Sequence, residues 1–525
     1  MKRLILLFSL LISPIIHGNN SELPKGLTDF EKLNLDQIYE MGRNTEPPLL
    51  PIRNIAEYEP MQGVLIRYPF GISLEIISEL AEDVNIYCLV SSSLQNAANQ
   101  AMINGAVNMD NVEYVIGSTD SYWTRDYGPW WIVDGNREVS IVDFTYNRPR
   151  PNDNDAPLKV SNYLDVPYYA VDIVHAGGNY MTDGMGISAS SNLVYEENSI
   201  SDENIKNLME EYYGIQTYHV IEDPNNTYID HIDCWGKYLS PTKVLIRQVA
   251  NTHPQYDQIE QAAQYFSDTT NEWGELWEVY RIWTPGDEPY TNSLIINNKI
   301  FVPLTGSDWD EDALQTYTDV LPGYEVLGFT GTWQSTDALH CRIKGIPDTQ
   351  MLQIFHNPLN DGTNPEDRSY EIKLFVDDLS NSGLILDSMK LHWRHSGSVF
   401  WQFSQLIPSD NSDEIGGWIG SIPALTDTGV IDYYISSADY SGRIEKSPTA
   451  GWHSFLANPT DACDSWLVGD LDNSGLIDVI DVLLLADLIE NAMGGICVLS
   501  VSDINSDSEL TYFDVFTLAN SIILD

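Results

Sequence analysis

Residues 63 to 90 read Gly63-Val-Leu-Ile-Arg-Tyr68-Pro-Phe-Gly-Ile-Ser73-Leu-Glu-Ile-Ile-Ser-Glu-Leu-Ala-Glu82-Asp-Val84-Asn-Ile-Tyr-Cys88-Leu-Val90. Two short β-rich runs, Gly63 to Tyr68 and Val84 to Val90, flank an amphipathic helical stretch from Ser73 to Glu82. The same alternation continues from about Ile52 to Asp348. Strand candidates there include Val139 to Phe144, Lys243 to Arg247, Ser293 to Ile296 and Lys299 to Val302, and helix candidates include Ser93 to Ile103, Asp202 to Tyr212 and Tyr256 to Phe266. Strands that alternate with amphipathic helices mark an α/β domain. At roughly 100–200 residues per domain, a chain of 525 residues should hold about three, one of them large.

From about Met351 to Ala457 the helical periodicity is gone. Alternating runs such as Glu371 to Val376, Met389 to Trp393 and Val430 to Ile435 are separated by Gly, Ser, Asp and Pro. An all-β, immunoglobulin-like sandwich is the expectation for this stretch. At the other end, Met-Lys-Arg, an apolar run from Leu4 to Ile16 and then His17-Gly18-Asn19 have the three parts of a signal peptide. No stretch reaches the ~18 apolar residues a membrane helix needs, so a secreted protein without a membrane span is expected, extracellular, cell-surface or periplasmic. The expected boundaries are 1–18 for the signal peptide, 19–50 for an extension, 51–349 for the α/β domain, 350–458 for the sandwich and 459–525 for a C-terminal module.

The formal charge of −51, from 77 acidic and 26 basic residues, disfavours nucleic acid and anionic lipid as partners. It suits a cationic substrate or a calcium-rich medium, and equally a solvated acidic surface. Of the five cysteines, Cys463 and Cys497 each precede a similar acidic motif, so a disulfide between them is expected. Cys88, Cys234 and Cys341 are expected to be free.

Those acidic motifs are two twelve-residue loops offset by 33 positions, each followed by an apolar helix, Val482 to Ile489 and Val515 to Ile523. The first presents Asp470, Asp472, Ser474, the Leu476 position and Asp481; the second presents Asp503, Asn505, Asp507, the Glu509 position and Asp514. Oxygen at positions 1, 3, 5 and 12 with a main-chain carbonyl at 7 is what Ca²⁺ prefers. The pair resembles a dockerin repeat, which implies a small helical calcium-stabilised module and a cohesin-like or cell-surface docking partner. Val479-Ile480 and Tyr512-Phe513, where dockerins place recognition residues, are apolar here.

The chemistry gathers in the first two-thirds of the chain. Cys341 lies in Ser335-Thr-Asp-Ala-Leu-His-Cys341, Asp126 in Trp123-Thr-Arg-Asp126-Tyr-Gly-Pro129, His231 and Asp233 two apart in a segment whose extended form would project both from one face of a strand, and Asn292 in Tyr290-Thr-Asn292-Ser. Alone, each has an ordinary reading: a buried thiol, a turn-capping aspartate, a histidine on one face of a strand. Together, two carboxylates can hold a planar cation, a histidine can move protons and a thiolate can attack carbon. That set matches a guanidinium group. No array of metal-ligand spacing accompanies it.

With Glu57-Tyr-Glu-Pro-Met-Gln-Gly63 and His175-Ala-Gly-Gly-Asn-Tyr-Met-Thr-Asp183, these segments occur in the order in which they resemble the bacterial peptidylarginine deiminases of the agmatine-deiminase superfamily. The resemblance implies a five-bladed α/β propeller, the pentein fold. It implies that Asp126 and Asp233 grip the guanidinium, His231 acts as acid then base, Asn292 orients the site, and Cys341 is the nucleophile, with no cofactor needed for catalysis. It also implies that Arg148 and Arg150 bind the α-carboxylate of a C-terminal arginine, a group suited to an arginine fork. Trp123, Gly178 and Asn179 are expected beside the substrate, with Met181 and Asp183 along the same wall. Gly177-Gly178-Asn179 lacks the context of a phosphate loop and reads as a tight turn. The expected activity is conversion of peptidyl arginine, preferably C-terminal, to citrulline. Deimination of agmatine or free arginine and non-catalytic arginine binding are the alternatives.

Overall fold

The structure is a computed structural model that describes residues 23–365, 369–409, 417–425, 427–459, 466–472, 474–491, 498, 501–505, 507 and 510–524. The expected signal peptide, the Cys463–Cys497 pair and Glu509 lie outside the described residues.

Residues 53 to 347 build five small sheets among the described residues, each of three or four strands and none closed on itself. Each sheet repeats one plan: a short strand pairs antiparallel with a central strand, a helix follows, and the next strand pairs parallel with the central one. The central strands are Met61–Arg67, Val139–Tyr146, Ile187–Ser191, Lys243–Gln248 and Lys299–Leu304. Their parallel partners are Asn85–Val90, Tyr168–His175, Thr217–Ile221, Glu278–Trp283 and Glu325–Thr330. The antiparallel strands are Lys344–Pro347, Trp130–Val133, Met181–Thr182, Gly236–Tyr238 and Leu294–Ile296. Lys344–Pro347 returns from the far end of the domain to pair with Met61–Arg67, so the first and last segments share a sheet.

The helices form where the sequence leads one to expect. Ser73 caps Leu74–Asp83 by accepting the Ile76 N–H at 3.3 Å, and Ile76, Ile77, Leu80 and Ala81 are buried against the sheet. Burying each of the three larger side chains stabilises the fold by about 1.5–3 kcal/mol. Ser201 likewise caps Asp202–Tyr213, which ends at Gly214 with φ +69°, a left-handed residue that glycine adopts without strain. Central strands such as Val139–Tyr146 are buried along their whole length, Ser140, Asp143 and Thr145 included.

Beyond the α/β domain lies a β-rich region of two antiparallel sheets. One orders Leu352–His356, Ser369–Asp378, Gly417–Pro423 and Ile407–Pro408; the other holds Gln402–Gln405, Lys390–His395, Gly429–Ala438, Ile444–Ser447 and His453–Ala457. They share one apolar cluster that includes Tyr370, Leu391, Trp393, Ile431, Tyr433 and Phe455. Arg443 joins this region to the first through Asp348 at 2.5 and 2.7 Å, and Arg137 does so through Asp377 at 2.7 Å. Farther on, helices Val479–Asn491 and Tyr512–Leu524 pack around Leu471, Leu485, Leu488, Val501 and Leu518, leaving Val479, Ile480, Tyr512 and Phe513 exposed. Among the described residues, no helix is long and apolar enough to cross a membrane.

Candidate active site

Every repeat enters its short antiparallel strand from a turn, and at least one residue singled out by sequence sits in each of those turns, whereas Arg148 and Arg150 follow a central strand. Asp126 lies four residues before Trp130, Gly178 three before Met181, Asp233 three before Gly236, Asn292 two before Leu294 and Cys341 three before Lys344. Motifs far apart in sequence thus meet because each holds the equivalent place in its own repeat. Gly177–Asn179, Ile232–Cys234 and His340–Arg342 are 3₁₀ turns. The expectation that His231 and Asp233 share the face of a strand is therefore corrected. His231 is extended, but the chain then closes on itself, with the Cys234 and Trp235 N–H groups donating back to the His231 and Ile232 carbonyls.

Cys341 is fully buried, and its Sγ receives the Asn292 Nδ2–H at 3.2 Å and faces Asp233 Oδ2 at 3.6 Å. Asn292 also accepts the Cys341 main-chain N–H at 3.3 Å, so one amide fixes both ends of the cysteine. Asp126 Oδ1 stands 3.6 Å from His231 Nδ1. Gly178 fits between these groups: an added Cβ would lie 2.6 Å from His231 Nδ1, 2.7 Å from Asp126 Oδ1 and 3.2 Å from Asp233 Oδ2. Only a residue without a side chain leaves the space open. Lys25 occupies the centre, its Nζ donating to Cys341 Sγ and to the Thr336 carbonyl, both at 2.7 Å, and standing 3.9 Å from Asp126 Oδ2.

The two carboxylates are tuned apart. Burial raises Asp126 to about 7, with Lys25 working against that and Asp233 adding to it. Burial also opposes ionisation of Asp233, but the His340 hydrogen bond and Lys25 hold it below the ordinary carboxylate value. Burial, followed by the Lys25 charge, pushes His231 well below its ordinary value, leaving the imidazole neutral. Burial and then Asp233 raise the Cys341 thiol. Lys25, desolvated but facing Asp126 and Asp233, is held well above the usual lysine range. The ammonium beside a thiol is the state the two carboxylates favour.

Behind this cluster lies a second set of charges that sequence reading did not assign. Glu57 pairs with Arg125 at 2.7 Å and Lys237 at 2.7 Å, and its Oε2 meets His340 Nε2 at 2.6 Å. His340 Nδ1 in turn meets Asp233 Oδ2 at 2.8 Å. Burial and then Arg125 pull His340 below its ordinary value, whereas two flanking carboxylates call for an imidazolium. The geometry decides for the imidazolium, because a neutral ring would turn a lone pair toward a carboxylate oxygen at one of these contacts. Glu57 and His340 stood within quoted motifs, and His340 directly precedes Cys341, but nothing in the sequence near Glu57 signals its place.

Arg148 and Arg150 are buried at the entrance. Arg148 Nε donates to the Lys25 carbonyl at 3.2 Å, and Arg150 is paired with Glu31 at 2.7 Å with its face over the Trp123 ring at 5.4 Å. Asn179 turns inward to the scaffold, its Oδ1 accepting the Ser191 and Ile232 N–H groups at 2.8 and 3.2 Å. Asp183 braces its own turn through the Met185 and Ile187 N–H groups, while Met181 borders a separate small cavity with Ile232 and Asp233. Cys88, Cys234 and Cys341 are free thiols.

In the C-terminal module, ligand atoms of Asp470, Asp472 and Asp481 lie within 4.8 Å of one another. The two loops share their bracing: Asp481 accepts the N–H groups of Leu471, Asp472 and Asp478, and Asp514 accepts those of Ile504, Asn505 and Thr511. Asp470 and Asp503 accept the N–H groups of Ser474 and Asp507, as do Asp472 and Asn505.

Compared with known proteins, residues 56–347 match the family of Porphyromonas-type peptidyl-arginine deiminases. An agmatine deiminase of Medicago truncatula is 25% identical over 313 residues, covering 48% of this chain and 81% of that protein. The solved agmatine deiminase of Enterococcus faecalis superposes with a TM-score of 0.51 at 17% identity, over 57% of this chain and 96% of its own. A Porphyromonas gingivalis crystal structure does so with a TM-score of 0.51 at 16% identity, over 57% and 99%. At these identities the two structures speak for the fold alone, the pentein α/β fold.

Proposed function

The chain belongs to the Porphyromonas-type peptidyl-arginine deiminase family and is a guanidino-group deiminase, a hydrolase of C–N bonds in linear amidines; from that premise we propose that it deiminates arginine in peptides, preferably at their C-terminus. One observation carries the preference for a peptide. Arg148 Nε donates to the main-chain carbonyl of the very residue whose side chain reaches Cys341. A peptidyl arginine offers an oxygen there and a C-terminal one a carboxylate, whereas agmatine offers neither. Agmatine remains the second reading, since the relatives above carry that name.

In the reaction, Asp126 and Asp233 hold the guanidinium in plane, the Cys341 thiol gives its proton to the neutral His231, and the sulfur adds to the central carbon. The C–N bond breaks as ammonia leaves with a proton from His231, giving a thiouronium. Water then loses a proton to His231 and attacks that carbon, the C–S bond breaks as the new hydroxyl passes its proton to sulfur, citrulline and the thiol are released, and His231 gives its proton to solvent. The His340–Glu57 array keeps Asp233 ionised throughout.

Around this centre we place the five sheets as blades of a propeller, the two-sheet region as an immunoglobulin-like support, and the helical pair as a dockerin-like module of a secreted protein. Asp470, Asp472, Ser474, the Leu476 carbonyl and Asp481 would hold Ca²⁺ in the first loop, and the charge and closeness of the three aspartates fit that ion. Its part would be structural.

The test offers the full chain a peptide ending in arginine, a peptide with internal arginine, and agmatine, and follows ammonia and a one-dalton gain. The terminal peptide should turn over fastest. Faster turnover of agmatine would replace the peptidyl reading, and no product from any of the three, with wild type and with Lys25→Ala, would overturn deimination.

A further inference from the structure

Lys25 is 4% exposed although it belongs to a segment outside the α/β core, and what buries it is the site itself. Its Nζ reaches Cys341, Thr336 and Asp126; Arg148 holds its carbonyl; Arg150 Nη2 donates to the carbonyls on either side, Pro24 at 2.8 Å and Gly26 at 3.2 Å. Gly26 passes so close to Tyr228 that an added Cβ would lie 2.6 Å from the ring. Downstream, Thr28 and Glu31 form a reciprocal cap in which each accepts the other's N–H, at 3.1 and 2.7 Å, and this sets Glu31 on Arg150. Farther along, Phe30 and Leu33 are exposed, so little apolar burial holds the segment down. Beside it runs a groove of about 450 Å³ lined by Pro24, Gly26, Leu27, Arg148, Tyr228 and Ile229.

We propose that residues 24–31 are a built-in pseudosubstrate: Lys25 fills the guanidinium pocket, the flanking peptide lies along the path of a substrate chain, and the segment must leave before substrate enters. Lysine suits the part for a chemical reason. It supplies the cation that Asp126 and Asp233 require but has no amidine carbon, so the sulfur has nothing to attack. The chain continues on both sides of Lys25, so the entrance accommodates an internal residue as well as a terminal one. The proposal rests on the deiminase reading of the same pocket, and its test has a readout independent of turnover.

In the full chain, alkylation of Cys341 by iodoacetamide, followed on the peptide that contains it, should be at least tenfold faster in Lys25→Ala than in wild type. Glu31→Gln, which leaves the pocket untouched and loosens Arg150, should fall between them. Turnover of an arginine peptide should rise in the same order. Equal alkylation and equal turnover in all three chains would overturn the pseudosubstrate and leave the deiminase standing. Faster alkylation without citrulline from any chain would uphold the plug and remove the deiminase. Lys25→Arg makes the segment a substrate: addition of water and loss of ammonia should leave a one-dalton gain at residue 25, at a rate independent of protein concentration. A rate that grows with protein concentration would show attack between molecules and count against the insertion.

Discussion

Two acidic clusters, one around Cys341 and one in the Asp470–Asp481 loop, neutralise their charge by opposite means. Around Cys341 Asp126 and Asp233 are buried and Glu57 nearly so, and each meets a cation: Lys25 at Asp126, His340 at Asp233, and Arg125, Lys237 and His340 at Glu57. In the loop, three aspartates crowd together with main-chain N–H groups as their donors. The two clusters draw their counter-charge from different sources. Around Cys341 side chains supply it, because an unpaired buried charge costs several kcal/mol; in the loop Asp470 and Asp481 are also buried but exposed Asp472 opens the cluster to solution, so main-chain N–H groups and a dissolved cation can supply it.

The comparison breaks most severely at the sulfur. Cys341→Ala should lower turnover on the order of 10⁴-fold or more with the fold intact, measured as ammonia release against circular dichroism. Next comes the compensating array. Glu57→Gln leaves Arg125, Lys237 and His340 with one fewer partner each and should destabilise the α/β domain by about 3–5 kcal/mol in chemical denaturation. A loss below 1 kcal/mol would mean that the array is not a closed charge system.

Asp126 supplies a pH test of the closed cluster. Its folded pKa, about 7, lies above its unfolded value of 3.8, so the fold favours its protonated form. That contribution is complete below the unfolded pKa and is lost as pH rises through about 7. Asp126→Asn should therefore gain stability over wild type between pH 4 and 7, by about 4 kcal/mol at pH 8, while losing activity. An advantage that does not change with pH would show that Asp126 is ionised at little cost. The open loop gives the smallest effect: Asp470→Ala should cost the C-terminal helices about 1 kcal/mol in the absence of calcium and change turnover less than twofold. Added Ca²⁺ should raise their unfolding midpoint in wild type alone, and a strict need for calcium in turnover would join the two clusters that the comparison keeps apart.

Much of this was open to reading in the chain. The run from Gly63 to Val90 spelled a strand, a helix and a strand because burial on both faces of the sheet demands continuous apolar strands while the helix needs one apolar stripe, and both leave a local pattern. Asp126, His231, Asp233, Asn292 and Cys341 drew notice as residue types, and the two acidic loops by their spacing. The 3₁₀ turn at Ile232–Cys234 did not, since it is set by the packing of Asn179 and Gly178 from another repeat rather than by its own few residues.

The alternation of strands and helices, the order of the motifs and the inventory of reacting groups depend on neighbours along the chain and are written in it. Only the tertiary structure decided that Glu57 and His340 stand behind Asp233, that Asp126 and Asp233 titrate in opposite directions, and that Lys25 lies against a sulfur 316 residues away. The reason is that charge compensation depends on distance and burial in space. Five repeats that each contribute one turn bring those groups within a few ångströms, and no spacing in the chain records it.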